Sequence, residues 1–132
     1  MSTNKVHDLV SVLSALSDDY SLMLFRTIAI GRKEPHELRA EFKLTPKQYY
    51  SRINALSKSN LVKKKDGTLC LTSFGKLVYQ SHLTIERGLD DLLKLRVIDS
   101  LETSAGLSKE ECGKIVDSLI QNEQIKTILE KN

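Results

Sequence analysis

The chain has no long apolar run. Nothing in its 132 residues approaches the roughly 20 consecutive apolar residues that a membrane-spanning helix requires. Its N-terminus also lacks the succession of basic, apolar and small residues that marks a secretory signal, so a cytoplasmic protein is expected. Cysteine is scarce: Cys70 and Cys112 stand far apart and match no zinc or redox spacing, which makes them free thiols in a reducing compartment. His7, His36 and His82 fall on three different segments without an i, i+4 partner. There is no glycine-rich phosphate loop, and no nucleophile accompanied by a base and an orienting group. An enzyme is therefore not expected, and no catalytic residue, metal ligand or cofactor is assigned.

What the chain does have is an uneven charge distribution. The net charge of +3 is unremarkable. From Gly31 to Lys76, however, eleven Lys/Arg stand against four Asp/Glu, a net +7. From Leu77 to Asn132 there are seven against ten, a net −3, and residues 1–30 carry two against three, a net −1. A surface that is merely solvated does not require this asymmetry, whereas a face that binds a polyanion does.

The basic segment contains the best-specified helix. In Leu44-Thr45-Pro46-Lys47-Gln48, Thr45 suits the cap position and Pro46 the first helical position, where a missing N–H costs nothing. Gln48, three residues after the cap, completes a capping box. At the far end Asn60 tolerates the left-handed conformation and Leu61 can touch Leu56, so the helix is expected to span 45–59. At 100° per residue, Tyr49, Ile53 and Leu56 form one narrow apolar stripe, with Lys47, Ser51, Asn54 and Lys58 opposite. Gln48 and Tyr50 flank the polar face. Arg52 lies nearer the apolar stripe, where it suits a phosphate or an internal acid better than a base edge.

A hairpin follows without a linker. Asp66-Gly67 is the pair that a two-residue type I′ turn demands, because both positions need positive φ. The flanking Leu61-Val62 and Leu69-Cys70-Leu71 suit short strands, giving a basic ribbon over 61–72. Lys63, Lys64 and Lys65 bring three positive charges to its tip, within reach of the phosphates of a neighbouring minor groove.

A polar-faced helix against a short basic ribbon is the layout of a winged helix-turn-helix that reads the major groove of double-stranded DNA. In such helices the N-terminal half does most of the base reading, so Lys47, Gln48, Tyr50 and Ser51 are the candidates for base contact. Arg52, Asn54, Lys58, Lys63, Lys64 and Lys65 are the candidates for the DNA backbone.

The stretch from Leu16 to Val78 resembles the winged-helix domain of bacterial and archaeal transcriptional regulators of the ArsR/MarR kind. Ala15-Leu16-Ser17-Asp18 is similar to the start of their first core helix. Leu44-Thr45 through Leu61-Val62 follows their pattern without a gap, with Tyr49, Ile53 and Leu56 in the core slots. Tyr50-Ser51-Arg52-Ile53 and Leu71-Thr72-Ser73-Phe74-Gly75-Lys76 look more like archaeal members. Asn60 stands where the family usually has glycine, a departure that the left-handed tolerance of asparagine explains. The residue sets of the metal-sensing members are missing, so metal sensing is not implied.

Elsewhere helical spacing predominates. Val6, Leu9, Val10, Leu13 and Leu16 mark a first helix, and Ser17-Asp18-Asp19 caps a second over Tyr20–Ile30, apolar nearly all round and expected to be the buried core helix. Gly31 ends it, and Pro35 opens a short helix with Leu38 and Phe42. A long helical pattern runs from about Phe74 to Leu101, and Ser108-Lys109-Glu110-Glu111 is a second capping box. A last helical piece carries Ile125, Ile128 and Leu129.

The expected fold is thus mainly α with a small β-hairpin wing: a winged helix-turn-helix over 1–79 and a helical extension over 80–132. The helices after the wing bring more apolar stripe than the small domain covers, so a homodimer through the N-terminal helix and the helices after Phe74 is expected; the alternative is that the C-terminal helices fold back on their own monomer. The expected function is a sequence-specific DNA-binding transcriptional regulator. A winged helix serving as a protein-interaction module within a nucleic-acid assembly is the alternative.

Overall fold

The computed structural model describes residues 3–31, 34–103 and 106–131. These form, in order, α1 (Thr3–Ala15), α2 (Asp19–Ile30), α3 (Pro35–Glu41), α4 (Pro46–Lys58), β1 (Val62–Lys65), β2 (Thr68–Leu71), α5 (Ser73–Asp90), α6 (Leu92–Glu102), α7 (Lys109–Leu119) and α8 (Glu123–Glu130). The architecture is a winged helix-turn-helix: α3 and α4 make the helix-turn-helix, the antiparallel β1–β2 hairpin is the wing, and further helices precede and follow it. The chain divides into two units, Met1–Gln80 and Ser81–Asn132, with α5 running from the first into the second.

In the first unit α2 is the helix around which the others pack. The Asp18 side chain caps it by accepting from the backbone N–H groups of Tyr20 and Ser21 at 2.9 and 3.1 Å. Leu24, Phe25 and Ile28 of α2 are buried with Leu38 of α3, Tyr49 and Leu56 of α4, and Leu61, Val62, Leu69 and Leu71 of the wing and its approach. Each such side chain contributes about 1.5–3 kcal/mol by leaving water. The helix expected to be the buried core helix is so on one side, while on the other Tyr20, Met23 and Ile30 are 44%, 46% and 77% exposed. Only the side of α2 that meets α4 and β2 is covered, because a domain this small has too little chain to wrap both sides. The α1 helix reaches the same core through Val12 and Ala15, and Ser59 donates to the Ser11 carbonyl at 3.3 Å.

The passage from α4 into the wing is tightly determined. Asn60 adopts φ 62°, its N–H bonds to Ser57 O at 3.0 Å, and the Leu61 N–H bonds to Leu56 O at 3.0 Å. This is a complete Schellman ending with asparagine in the left-handed slot. Asp66 and Gly67 both have positive φ, 54° and 78°, as a type I′ hairpin requires. After β2, the Thr72 N–H bonds to Leu61 O at 3.1 Å and the Thr72 hydroxyl donates to the Asn60 carbonyl. The Gly75 N–H in turn donates to Thr72 Oγ1 at 2.8 Å, which caps the first turn of α5.

The second unit has its own smaller core of Ile98, Val116, Ile120 and Ile125, flanked by Leu95, Leu119 and Leu129. Ser108 caps α7 by accepting from the Glu111 N–H at 3.1 Å, and Asn122 caps α8 by accepting from the Ile125 N–H at 3.0 Å. The long helical pattern after Phe74 does not run unbroken to Leu101: α5 ends at Asp90 and α6 begins at Leu92. Aspartate competes for its own backbone, so Asp90-Asp91 is a poor pair with which to continue a helix, a weakness that apolar periodicity alone conceals.

Candidate nucleic-acid interface

The N-terminal half of α4 is fixed before any partner arrives. Thr45 Oγ1 accepts from the Gln48 N–H at 3.2 Å and Gln48 Oε1 accepts from the Thr45 N–H at 3.0 Å, so the expected capping box is present in both directions. The side-chain oxygen of Gln48 is thereby occupied, which leaves its amide nitrogen as the side-chain group available to a partner. Lys47, Gln48, Tyr50, Ser51, Asn54 and Lys58 are exposed, while Tyr49 and Leu56 on the opposite side are buried.

Lys47, Tyr50, Ser51 and Asn54 line one cleft of about 560 Å³ together with Lys64 and Leu69 of the wing. Three of the four expected base readers and two of the expected backbone contacts thus converge on one concave surface. Tyr50 is 57% exposed and meets the Tyr49 ring edge-on, with centroids 5.1 Å apart. An aromatic ring held in that way offers an apolar edge and a hydroxyl at little entropic cost. Burial, with the neighbouring Tyr50 adding to it, pushes the Tyr49 phenol up to about 12.

The three wing lysines do not share one face of the hairpin. Strand register sets Val62 opposite Leu71, Lys63 opposite Cys70, Lys64 opposite Leu69 and Lys65 opposite Thr68. Successive side chains alternate between faces, so Lys64 shares a face with buried Val62, Leu69 and Leu71, whereas Lys63 and Lys65 share the other with Cys70. Lys63 and Lys65 accordingly line a second depression of about 360 Å³ with Cys70, Lys76 and the end of α2. The sequence carried the signal for this split, since period 2 follows from strand geometry alone, and Lys76 is a charge that the tip-centred reading missed.

Arg52 is turned inward. Its Nε donates to Asp18 Oδ1 at 3.2 Å, its Nη1 donates to the Gln48 carbonyl at 3.1 Å, and its guanidinium lies 5.4 Å from the centroid of the Tyr20 ring. Partial burial raises the Asp18 carboxyl, but hydrogen bonds from the Ser21 side chain and backbone and from Arg52, with the charge of Arg52, outweigh it and hold the group below its ordinary value. Among the described residues, no three His, Cys, Asp or Glu side chains lie together so as to hold a metal ion.

Among solved structures, the chain is similar to that of reduced HlyU from Vibrio cholerae N16961, at 16% sequence identity and a TM-score of 0.48 over 58% of this chain and 86% of that one. No protein-family model matches the chain, and no curated protein matches it. No helix among the described residues is long and apolar enough to cross a membrane.

Proposed function

We propose that this protein is a sequence-specific double-stranded DNA-binding transcriptional regulator of the cytoplasm, without enzymatic activity, in which α4 enters the major groove. The observation that carries the reading is the shared cleft of Lys47, Tyr50, Ser51, Asn54 and Lys64, inside the segment that concentrates the positive charge of the chain. Lys47, Gln48, Tyr50 and Ser51 read base edges. Asn54, Lys58, Lys63 and Lys65 meet phosphates, which supplies affinity without sequence information, and Lys64, inside the cleft, adds a phosphate contact that also holds the reading side chains in register.

A single recognition helix covers one half-site, and paired half-sites lie about one helical turn, roughly 34 Å, apart. A homodimer presents two such helices. The apolar side chains available for it are Val6, Leu9, Val10 and Leu13 on α1, and Ile85, Leu89, Leu93 and Val97 on the helices after Phe74, all of them exposed.

Selection of bound sequences from a random duplex pool tests the reading directly. The expected result is enrichment of a repeated half-site spaced by about 10 base pairs. Recovery of unenriched sequence, or no retention of duplex at low salt, overturns it.

A further inference from the structure

Asp18 does two tasks with one carboxylate. Oδ1 accepts from the N–H groups of Tyr20 and Ser21 and from Arg52 Nε at 3.2 Å, while Oδ2 accepts from Ser21 Oγ at 2.7 Å. It therefore caps α2 and, through Arg52, ties that cap to the first turns of α4. Arg52 is well suited to its end of the link: its planar fork donates in two directions at once, and its face lies over the Tyr20 ring. Its side chain is 25% exposed, against 48% for Asp18, so Arg52 is the more enclosed partner.

The location of this link matters more than its strength. The apolar side of α4 packs on the core through Tyr49 and Leu56, with Ile53 and Ala55 partly buried beside them, and apolar contacts of this kind are non-directional. A directional polar tie at Arg52, one residue from Ser51 and two from Tyr50, adds an angular constraint at the turns that carry the reading side chains. A phosphate contact asks for the opposite arrangement, in which the guanidinium points away from protein acids toward solvent.

We propose that Arg52 is a positioning residue: held by Asp18, Tyr20 and the Gln48 carbonyl, it sets the rotation of α4 and hence which base edges Lys47, Tyr50 and Ser51 meet. This rests on the DNA-reading function above and assigns Arg52 to specificity rather than to the phosphate backbone.

The two roles give opposite signs for one substitution. Asp18→Asn keeps an oxygen for the α2 cap and removes a negative charge beside the proposed interface. If Arg52 serves phosphates, the change frees it and tightens binding to every duplex. If Arg52 positions α4, the change loosens the helix and weakens binding to the preferred duplex.

The experiment measures binding of the parent, Asp18→Asn, Arg52→Gln and Arg52→Lys to the duplex selected by the parent and to a random duplex, between 50 and 200 mM salt. It is run at a temperature where circular dichroism shows all four folded. Asp18→Asn and Arg52→Gln are each expected to lose about tenfold in preference for the selected duplex, a usual size for coupled contacts, and a fifth protein that combines the two, folded under the same conditions, should be no worse than either single one. The salt slope of Asp18→Asn should match the parent, and Arg52→Lys should not restore preference, because an ammonium lacks the planar fork. Tighter binding of Asp18→Asn to both duplexes, or a preference equal to that of the parent, overturns the positioning role alone. A parent protein that distinguishes no duplex overturns this role and the regulator reading together.

Discussion

Gly75 packs its Cα against the carbonyl of Leu61 so closely that a Cβ on residue 75 would overlap that oxygen. The obstacle is backbone, not the end of a flexible side chain, and the same carbonyl accepts the Thr72 N–H at 3.1 Å. The α5 helix can begin where it does, against the junction of α4 and the wing, only with glycine there. Gly75→Ala is therefore expected to destabilise the first unit by about 1–3 kcal/mol, the usual cost of overpacking. Gly88, in the same helix, has nothing within 4 Å of a built Cβ, so Gly88→Ala should instead stabilise by about 0.5–1 kcal/mol. Urea unfolding midpoints at unchanged slope read both. Similar small shifts in the two variants would show that the α5 junction is not tight.

The alternation of the wing predicts that its lysines separate by role. Lys64 shares the cleft with Lys47, Tyr50 and Ser51, whereas Lys63 and Lys65 line the depression on the other face. Replacing Lys63 and Lys65 together with Gln should weaken binding to selected and random duplexes equally and lower the salt slope by about 0.9 for each lost phosphate. Lys64→Gln should lower the slope by no more than one such contact and also reduce preference for the selected duplex. Titrations at several salt concentrations separate the two, and identical behaviour of the two variants would refute the division.

Much of this arrangement is legible in the residues because its causes are local. The Thr45–Gln48 capping box, the Schellman ending at Asn60 and the Asp66-Gly67 turn each depend on a few neighbouring side chains and their backbone preferences. What escapes is what depends on distant partners. Lys43 takes φ 53° in the turn between α3 and α4, although lysine gives no hint of a left-handed residue; its N–H bonds to Ala40 O and the Leu44 N–H to Arg39 O, a Schellman ending that carries Leu44 into the core. Arg52 lies near the apolar stripe by its spacing, but that Asp18, 34 positions earlier, is the acid it meets follows only from the crossing of α2 and α4. The break at Asp91 escapes for a different reason, a weak local propensity that a strong apolar period conceals.

The apolar side of α1 leads to a prediction about assembly. Leu9 and Leu13 are 51% and 58% exposed, while Val12 and Ala15 on the adjoining side pack on the core. If α1 forms part of a dimer interface, as proposed, Leu9→Glu with Leu13→Glu should give a monomer by sedimentation at micromolar concentration. The melting transition of the first unit should be retained, because neither side chain contributes to its core. Specific DNA binding should fall much more than binding to random duplex, since pairing of half-sites is lost. A parent protein that sediments as a monomer at that concentration would remove the dimer.

Tyr49 provides the most direct test of the core beneath the reading face. It is 1% exposed, and its hydroxyl has no hydrogen-bond partner among the described residues. A buried hydroxyl without a partner costs stability, so Tyr49→Phe, which keeps the ring and its edge contact with Tyr50, should leave the protein as stable at neutral pH or more so by about 1 kcal/mol. The alkaline limb gives an independent reading. A phenol raised to about 12 in the folded chain holds its proton more tightly than the unfolded chain does. The parent's stability from this group is therefore full below the ordinary tyrosine value of about 10 and is lost as pH rises above it. Tyr49→Phe lacks that loss, so its advantage should widen between about pH 10 and the raised value near 12. Thermal melts of both proteins across that range decide it, and a neutral-pH loss above about 1 kcal/mol in the variant would mean that the hydroxyl makes a stabilising bond after all.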